Sequence, residues 1–405
     1  MKLSLKIIIG SIIGVGSVVG GIITMVIVNK VDKADIKETN VENNTTDLIN
    51  LRIGVWNVLN YNAEVGEKGE KAFKTKALAK IIYSENDDII GLAEIEGEDS
   101  LEVLVGKLNY LAKDSVYRYI RSKESGAFKN GEVVGSNGQQ EYYGFIYNNK
   151  KVTPKTFDGT NEIGSIYENP KMENELIPGE KTGFVRPPYA VEFEDKNHKD
   201  FTIAVGHLDS PGGKNDSIKG NIKENYWHND QGTQEVWEAK HLVDVMNYFD
   251  SIDGKNDDLI FLGDTNIKSN ITNVFQTLKD NGFSALSDPT DDAFKTSLGT
   301  KNNWSQPYDR IFVKSDLMNP SMQQTRFDFF DPSNLSTYFI PMDVSTYALN
   351  SKYIDSNGNI NLKGIRYKIS DHTTVHFELD FTKDDTDLSG MPWDEYLNNT
   401  SPPIT

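Results

Sequence analysis

Alternation of apolar and polar residues is clearest at residues 51–57, whose sequence LRIGVWN predicts a β-strand. Short apolar runs predict further strands at residues 88–94, 142–147, 189–193, 201–206, 259–263, 310–313 and 373–379. Apolar residues at helical spacing predict helices over residues 71–84, from Asp99 onward, and over residues 234–249 and 271–281. Several strands follow one another without a helix between them. This order favours a layered α/β sandwich with mixed sheets over a simple parallel wound sheet.

A longer apolar run occupies residues 7–28 near the N-terminus, with Lys2 and Lys6 before it. A helix needs about 20 such residues to cross a bilayer, so the run predicts a membrane anchor within residues 1–30. A cleaved signal segment is the alternative, but no clear Ala-x-Ala site follows the run. Lysines lie on both sides of the run, so the charges do not decide its orientation.

The rest of the chain divides into three parts by composition. Residues 31–50 are rich in Asp, Glu, Asn and Thr, which predicts a polar linker. Residues 51–382 hold the predicted strands and helices and form the folded domain, and residues 383–405 form an acidic tail. We expect the folded domain to lie outside the cell on a single-pass membrane anchor, or to be secreted if the N-terminal segment is cleaved.

Composition narrows the classes of function. The 405-residue chain has a net charge of −18, which argues against a protein that grips nucleic acid mainly by its own surface charge. It does not exclude an enzyme that meets phosphates through bound divalent cations, because the ion supplies the positive charge. The chain has no cysteine, which excludes disulfides, thiolate nucleophiles and cysteine zinc sites.

Polar side chains suited to catalysis or metal binding stand at the ends of the predicted strands. They are Asn57, Glu94, Glu141, His207, Asp264 with Asn266, Asp309, and Asp371 with His372. A single carboxylate at the end of a strand is usually a turn former. Acid, amide and imidazole side chains at so many strand ends are harder to explain as turn formers. Strand ends that gather at one edge of a sheet form a cleft, which is the usual place for ligands in α/β sheets.

The residue types at these positions indicate metal-assisted hydrolysis of phosphate esters. Oxygen ligands such as those of Asn57, Glu94 and Asp371 suit Mg²⁺ or Mn²⁺ rather than zinc. Cleavage of a phosphodiester needs an activated water, stabilisation of the developing charge and help for the leaving oxygen. Two histidines, each held by a carboxylate, are suited to proton transfer or charge stabilisation.

Seven short motifs occur in a fixed order: VWN at 55–57, GLAE at 91–94, EYYGF at 141–145, VGHL at 205–208, GDTN at 263–266, YDRI at 308–311 and SDH at 370–372. Two of them, Gly-Asp-x-Asn and Ser-Asp-His, are moderately specific alone, and the ordered set is strongly specific. The chain resembles the DNase I-like endonuclease/exonuclease/phosphatase superfamily over roughly residues 51–381, and within it the membrane nucleases of mycoplasma type. The resemblance implies a four-layer α/β/β/α sandwich with two mixed, mainly antiparallel sheets.

The resemblance also implies a role for each oxygen-bearing side chain. Asn57 and Glu94 are expected to hold the principal metal ion, with Asp371 nearby. Asp264 and Asn266 are expected to orient the attacking water and the scissile phosphate. For Asp264 two readings stay open, general base or ligand of a second metal ion.

Two histidine–carboxylate pairs and one arginine complete the implied site. His372 is expected to pair with Asp309, and His207 with Glu141, so that His207 contacts a phosphate oxygen. Arg186 matches a family position that approaches the nucleic-acid backbone.

Some positions depart from the family pattern or leave a choice. Ala93 stands where the family usually has Gln, and Thr265 where it often has Phe. Glu96 is an alternative metal ligand to Glu94. His376 is expected to be solvent-exposed, and Arg310 to be an ion-pair partner at a sheet edge instead of a substrate contact.

These inferences combine into one leading function. The sequence predicts a divalent-metal-dependent nuclease that hydrolyses DNA, with RNA as a second candidate substrate, and that scavenges nucleotides at the cell surface. The expected ion is Mg²⁺ or Mn²⁺, with Ca²⁺ as an additional candidate. A sphingomyelinase-like lipid phosphodiesterase is the alternative enzyme, and a non-catalytic nucleic-acid-capturing surface protein is the alternative outside enzymes.

Overall fold

The computed structural model describes residues 50–380, except for 126–127, 130–131, 134–139, 159, 161, 213–230, 255, 272, 302, 316–321, 332 and 335–361. The strands in this part of the chain are β1 Asn50–Tyr61, β2 Ile89–Ile95, β3 Tyr117–Arg121, β4 Phe128–Lys129, β5 Glu132–Val133, β6 Tyr142–Asn148, β7 Val152–Pro154, β8 Ser165–Ile166, β9 Met172–Glu173, β10 Lys181–Thr182, β11 Tyr189–Asp195, β12 Asp200–His207, β13 Leu259–Asp264, β14 Ser284–Ala285, β15 Asp309–Lys314, β16 Thr325–Arg326 and β17 Val375–Asp380. The helices are α1 Gly69–Glu85, α2 Ser100–Ala112, α3 Thr233–Lys240, α4 Leu242–Asp250, α5 Gln276–Asp280 and α6 Leu362–Lys368, with 3₁₀ turns at Asn273–Phe275 and Asp292–Phe294.

Most strands belong to two large sheets. The first has the order β16-β17-β1-β2-β6-β3, and the second has the order β14-β15-β13-β12-β11-β7, with β8 also paired to β11. Each sheet contains one parallel pair, β1 with β2 and β12 with β13, and its other pairs are antiparallel. Each parallel pair is joined by a helical crossover, as parallel strands require. The prediction of two mixed, mainly antiparallel sheets is confirmed.

The apolar residues form three cores that separate four layers. Inward-facing residues of both sheets, such as Val55 and Phe377, pack against each other between the sheets. The outer face of the first sheet, which includes Trp56, packs on α1, α2 and α6. The outer face of the second sheet packs on α3, α4 and α5, with Trp237 and Phe261 in that core. Val55 and Trp56 face opposite ways because side chains alternate along a strand. The α/β/β/α order is confirmed.

Local sequence patterns located most elements to within a few residues. The predicted strand at 201–206 lies inside β12, and the one at 259–263 lies inside β13. Helix α2 begins at Ser100, and Leu101, Leu104 and Leu108 form its buried stripe as predicted. The last strand begins at Val375, two residues later than predicted.

The helix predicted over 234–249 is two helices, α3 and α4, with a break at His241. The imidazole of His241 spans this break. It stacks on Trp237 in α3, with ring centroids 4.2 Å apart, and its Nδ1 lies 2.6 Å from Oδ2 of Asp244 in α4. Side-chain contacts across the break stabilise two short helices here, which the apolar spacing alone does not reveal.

Several sequence predictions fall outside the described residues. The segment at 1–30, the linker at 31–49 and the tail at 383–405 are among them. Within the described part of the chain, no helix is long and apolar enough to cross a membrane. The membrane anchor and the domain boundaries therefore stay predictions.

One edge of the two sheets collects the strand ends that the sequence singled out. The carboxyl ends of β1, β2, β12 and β13 lie there, together with the amino ends of their antiparallel partners β6, β15 and β17. We call it the site edge. The topology thus brings motifs from both ends of the chain to the same place.

Candidate active site

Three neighbouring strands of the second sheet each place one functional side chain at the site edge. In the register, His207 on β12 pairs with Asp264 on β13, and Asp264 pairs with Asp309 on β15. Gly206 and Gly263 pair one position earlier, and a Cβ on Gly263 would collide with the carbonyl oxygen of Gly206. This close approach of the two strands requires glycine directly before Asp264.

His372 reaches the same edge from the first sheet, just before β17. Its Nδ1 lies 2.7 Å from Oδ2 of Asp309, and its Nε2 lies 3.4 Å from Oδ2 of Asp264. Its backbone is also held, because Trp56 Nε1 donates a hydrogen bond to the His372 carbonyl oxygen at 2.9 Å. Burial alone would lower the pKa of His372, but the carboxylates of Asp309 and Asp264 outweigh it and hold the pKa well above its ordinary value.

His207 forms the second histidine–carboxylate pair. Its Nδ1 lies 2.9 Å from Oε2 of Glu141, which precedes β6 in the first sheet. Its Nε2 lies 3.6 Å from Oδ2 of Asp264 and 3.8 Å from Oε1 of Glu94. Burial and the nearby Arg186 lower the pKa of His207, but Glu141 and Asp264 outweigh them and leave it raised. Both imidazoles therefore direct Nε2 at the same carboxylate oxygen.

The amide of Asn57 joins the two sheets between two carboxylates. Its Nδ2 donates to Oε1 of Glu94 at 2.8 Å and to Oδ2 of Asp264 at 3.1 Å. Its Oδ1 accepts a hydrogen bond from the backbone N–H of Leu59 at 3.0 Å. In this arrangement the nitrogen faces the cleft, so a metal-ligand role for Asn57 requires the amide to turn.

Two of the predicted site residues have backbone angles that are unusual for residues other than glycine. Glu94 has φ of 59° and Asn266 has φ of 52°, both in the left-handed region. The loop at Asn266 is held by its own N–H, which donates to Oδ1 of Asp264 at 2.9 Å, and by its Nδ2, which donates to the Leu208 carbonyl oxygen at 3.0 Å. Such conformations cost free energy and concentrate at functional sites.

Residues 54–372 match the Endonuclease/Exonuclease/phosphatase family, and this span holds all the site residues described so far. The chain belongs to the Endonuclease/Exonuclease/phosphatase family. Its members are hydrolases that act on phosphate esters. An uncharacterized protein of Mycoplasma pneumoniae is 35% identical over 156 residues, which are 37% of this chain and 31% of that protein. The match therefore spans about a third of the relative's length.

Solved structures of the same family are more distant. A family protein from Bacteroides thetaiotaomicron is 15% identical with a TM-score of 0.47, covering 83% of this chain and 99% of that one. A humanized D. rerio TDP2 is 14% identical with a TM-score of 0.44, covering 81% and 98%. The human Nocturnin catalytic domain is 14% identical with a TM-score of 0.44, covering 82% and 94%.

Enzymes of this family generally use divalent metal ions, and the residues at the site edge fit such an ion. In the described part of the chain, one group of acidic and imidazole ligand atoms lies within 4.8 Å of one another, from Asp264, Asp309 and His372. Oδ1 of Asp309 is buried and accepts no hydrogen bond, which a cation would compensate. Glu94 and Asp371, both predicted metal ligands, are half-buried beside this group.

Of the two candidate metal ligands Glu94 and Glu96, Glu94 is the one that faces the cleft. Glu94 is half-buried and bonds Asn57, while Glu96 is exposed. With its nitrogen turned toward the acids, the amide of Asn60 lies 3.3 Å from Oε2 of Glu94 and 3.2 Å from Oε1 of Glu96. Glu96 therefore belongs to the rim of the site.

Arg186 has partners within the protein. It is buried, with 5% of its surface exposed. Its Nε donates to the His207 carbonyl oxygen at 3.1 Å, and its terminal nitrogen donates to that of Leu208 at 2.6 Å. The guanidinium also lies 3.8 Å from Oε2 of Glu141. Arg186 thus supports the His207 backbone, and its contact with substrate stays a prediction.

Two residues are placed differently from their predictions. His376 was predicted to be exposed, but it is fully buried, with Nδ1 2.7 Å from Oδ1 of Asp87. This prediction is wrong because the outer face of the first sheet at His376 is covered by the protein itself. Arg310 lies on β15, which is not an edge strand, and is also buried.

Arg310 explains the unusual Thr265. One guanidinium nitrogen of Arg310 donates to Thr265 Oγ1 at 3.1 Å, and another donates to the Ile267 carbonyl oxygen at 2.8 Å. Thr265 Oγ1 in turn donates to the Tyr308 carbonyl oxygen at 2.8 Å. Burial lowers the pKa of Arg310 to about 9 despite the nearby carboxylates. Threonine thus bonds the buried cation behind Asp264, which a phenylalanine could not do.

Sequence reasoning missed Lys74, on α1, as part of the site. Its ammonium group donates to the Leu59 carbonyl oxygen. Burial lowers the pKa of Lys74 to about 8, against the opposite effect of Glu94, Glu96 and Asp371. The signal in the sequence is weak, since one lysine in a predicted amphipathic helix usually marks a solvated face.

Proposed function

We propose that this protein is a divalent-metal-dependent nuclease that hydrolyses phosphodiester bonds of DNA, with RNA as a second candidate substrate. The observation that carries the proposal is the convergence of two imidazoles on one carboxylate. Nε2 of His207 and Nε2 of His372 lie 3.6 and 3.4 Å from Oδ2 of Asp264. Each imidazole is held at Nδ1 by a carboxylate from the opposite sheet. A purely binding protein has no need for two such pairs.

Each residue has a proposed role in the hydrolysis. Asp264 accepts a proton from the attacking water, whose oxygen bonds to phosphorus while the bond from phosphorus to the leaving oxygen breaks, and the leaving oxygen takes a proton from Nε2 of His372. The raised pKa values of His207 and His372 favour imidazolium ions, which donate hydrogen bonds to phosphate oxygens as negative charge develops there. Asn266 helps to orient the water and the phosphate.

Glu141 and Asp309 fix the orientation of the two imidazoles. Each carboxylate accepts from Nδ1 and so leaves Nε2 to face the cleft. When bound, a divalent ion would supply positive charge against the phosphate oxygens. Glu94 and Asp371, with Asn57 after its amide turns, are the residues proposed to hold the ion. Mg²⁺ or Mn²⁺ suits these oxygen ligands, and Ca²⁺ is an additional candidate.

The proposed location is the outer surface of the cell membrane, where the enzyme would degrade nucleic acid for nucleotide uptake. The apolar run at residues 7–28 supports this part of the proposal. Protease treatment of intact cells that express the full chain tests it. Digestion of the folded domain in intact cells supports an external location, and digestion only after lysis contradicts it.

Cleavage of closed circular plasmid DNA by the full-length protein in detergent tests the activity. We expect nicked or linear products with Mg²⁺ or Mn²⁺ and none with EDTA. His207→Ala should abolish the products. His198→Ala is the matched control, because 84% of the His198 side chain is accessible and its ion-pair partner is Glu194, outside the site. Intact DNA with every metal ion would contradict the proposal.

The same preparation separates the alternative functions. Release of phosphocholine from sphingomyelin liposomes, with DNA left intact, would indicate a lipid phosphodiesterase. Binding of DNA without cleavage, unchanged when Asp264 and His372 are both replaced by Ala, would indicate a nucleic-acid-capturing protein.

A further inference from the structure

Helix α3 carries a buried carboxylate that bonds two separate segments of the chain. Glu238 has no exposed surface. Its Oε1 accepts a hydrogen bond from the N–H of Val185 at 2.6 Å, and its Oε2 accepts one from the N–H of Asp209 at 2.6 Å. Gln234, one turn earlier, donates to Oε1 at 2.9 Å. One side chain therefore ties the segment before β11 to the segment after β12.

The two tied segments are the ones that hold His207 in place. Arg186, next to Val185, donates to the carbonyl oxygens of His207 and Leu208 at 3.1 and 2.6 Å. The N–H of His207 donates to the Tyr143 hydroxyl at 3.0 Å, and that hydroxyl donates to the Arg186 carbonyl oxygen at 3.3 Å. Movement of either segment relative to the other would break these bonds and turn the His207 backbone.

Charge gives Glu238 a second connection to the site. Burial lowers the pKa of Arg186, but Glu141, Tyr143 and Glu238 outweigh it, so the pKa is raised and the guanidinium stays charged. Arg186 in turn lies 3.8 Å from Glu141, the partner of His207. Glu238 thus supplies part of the negative charge that keeps a buried cation beside the His207–Glu141 pair.

We propose that Glu238 is a positioning residue, which directs Nε2 of His207 toward Asp264 by holding the amides of Val185 and Asp209. Only its consequence for catalysis rests on the proposed function. The carboxylate accepts at both oxygens, whereas a glutamine has one acceptor oxygen and one amide nitrogen. In Glu238→Gln one of the two backbone N–H groups would face the amide nitrogen, which is also a donor. The segment that carries this N–H group would lose its hydrogen bond to α3.

The test compares Glu238→Gln with a matched control, Glu192→Gln. Both glutamates are buried, and the pKa of each is raised to about 7 by burial. Glu192, however, lies in the middle of β11 and pairs with Lys155 at 2.9 Å instead of with the site. Each substitution replaces a buried carboxylate with an amide, but only the one on α3 touches the segments beside His207.

The primary measurement is the proton resonance of His207 Nδ1–H in the ¹⁵N-histidine spectrum of the metal-free, full-length protein, assigned with His207→Ala. We expect a downfield resonance from the bond to Glu141 in the wild type and in Glu192→Gln. Glu238→Gln should shift or lose it while the resonance of His372 stays unchanged. A folded Glu238→Gln with an unchanged His207 resonance would overturn the proposal.

A second variant and a second measurement guard against simple misfolding. Glu238→Asp keeps the charge but is too short to reach both amides, so it should show the same change in the His207 resonance, and an unchanged resonance would again overturn the proposal. In plasmid cleavage, Glu238→Gln should lower kcat by about 10- to 100-fold with little change in KM. If the wild type cleaves no DNA, the proposed function fails, but the resonance still decides the role of Glu238.

Discussion

Two histidine–aspartate pairs beside β17 have similar hydrogen-bond geometry and differ in what they can do. His372 and His376 are four residues apart, and Nδ1 of each lies 2.7 Å from an aspartate oxygen, of Asp309 and Asp87 respectively. Both histidines are buried, His372 with 6% and His376 with none of its surface exposed. The pairing of an imidazole with a carboxylate therefore does not distinguish them.

The second ring nitrogen distinguishes them. Nε2 of His372 faces Asp264 at the site edge, the same oxygen that His207 approaches. Nε2 of His376 lies 3.5 Å from Oε2 of Glu85 and neither donates nor accepts a hydrogen bond. Gly54 is the neighbour of His376 on β1, and a Cβ there would lie 2.8 Å from Nδ1 of His376, so the pair is packed tightly against β1. A catalytic pair needs a ring nitrogen that substrate can reach, and a pair without one contributes only to stability. We call His372–Asp309 the open pair and His376–Asp87 the closed pair.

The largest expected effect is on the open pair. His372→Ala should lower the rate of DNA cleavage by about 10²- to 10⁴-fold, because it removes a proton donor at the reacting phosphate. The circular dichroism spectrum and melting temperature show whether the variant is folded. Cleavage within a few-fold of the wild type would remove His372 from the proposed site and make the two pairs equivalent.

The closed pair should respond in stability instead of activity. His376→Ala leaves the Asp87 carboxylate buried without its imidazole, while Nε of Arg52 lies 3.8 Å from Oδ1 of Asp87. We expect the free energy of unfolding to fall by about 3 kcal/mol in urea denaturation. Cleavage measured at a temperature where the variant is folded should stay near that of the wild type. A large loss of kcat there would mean that the closed pair also serves catalysis.

The pH dependence sharpens the comparison for the open pair. The pKa of His372 is raised in the folded, metal-free protein, so the charged imidazole stabilises the fold fully below its unfolded pKa, about 6.5. This stabilisation is lost as the pH rises through the higher, folded pKa. We expect His372→Gln to remove this loss of stability as the pH rises above about 6.5. Parallel curves for the two proteins would show that His372 is not held as a cation.

The smallest effect is expected at an exposed pair. Nδ1 of His198 lies 3.1 Å from Glu194, with 84% of the His198 side chain accessible. Solvent screens such a pair, so His198→Ala should change the free energy of unfolding by less than about 0.5 kcal/mol. Thermal melts and plasmid cleavage both check this expectation. A larger loss would mean that the solvent exposure of a histidine–carboxylate pair does not determine how much the pair contributes to stability.

Much of the fold followed from local patterns because they depend on neighbours in the sequence. Alternation identified β1, short apolar runs identified β12 and β13, and apolar spacing identified α2. The edge strand β3 at Tyr117–Arg121 was not predicted, because only Tyr117 is buried there and the alternation breaks at Ile120. The break at His241 was missed because contacts from two helices stabilise it.

The sequence by itself determined the strands, the residue types at their ends and the glycine before Asp264. The tertiary structure alone decided the partners. Glu141 and His207 are 66 residues apart, and Asn57 and Asp264 are 207 apart, yet each pair is in hydrogen-bonding contact. Which carboxylate a histidine meets is decided only when elements far apart in the sequence have packed, which is why His376 was expected at the surface and is buried. Local patterns record which face a side chain takes, and long-range packing decides what covers that face.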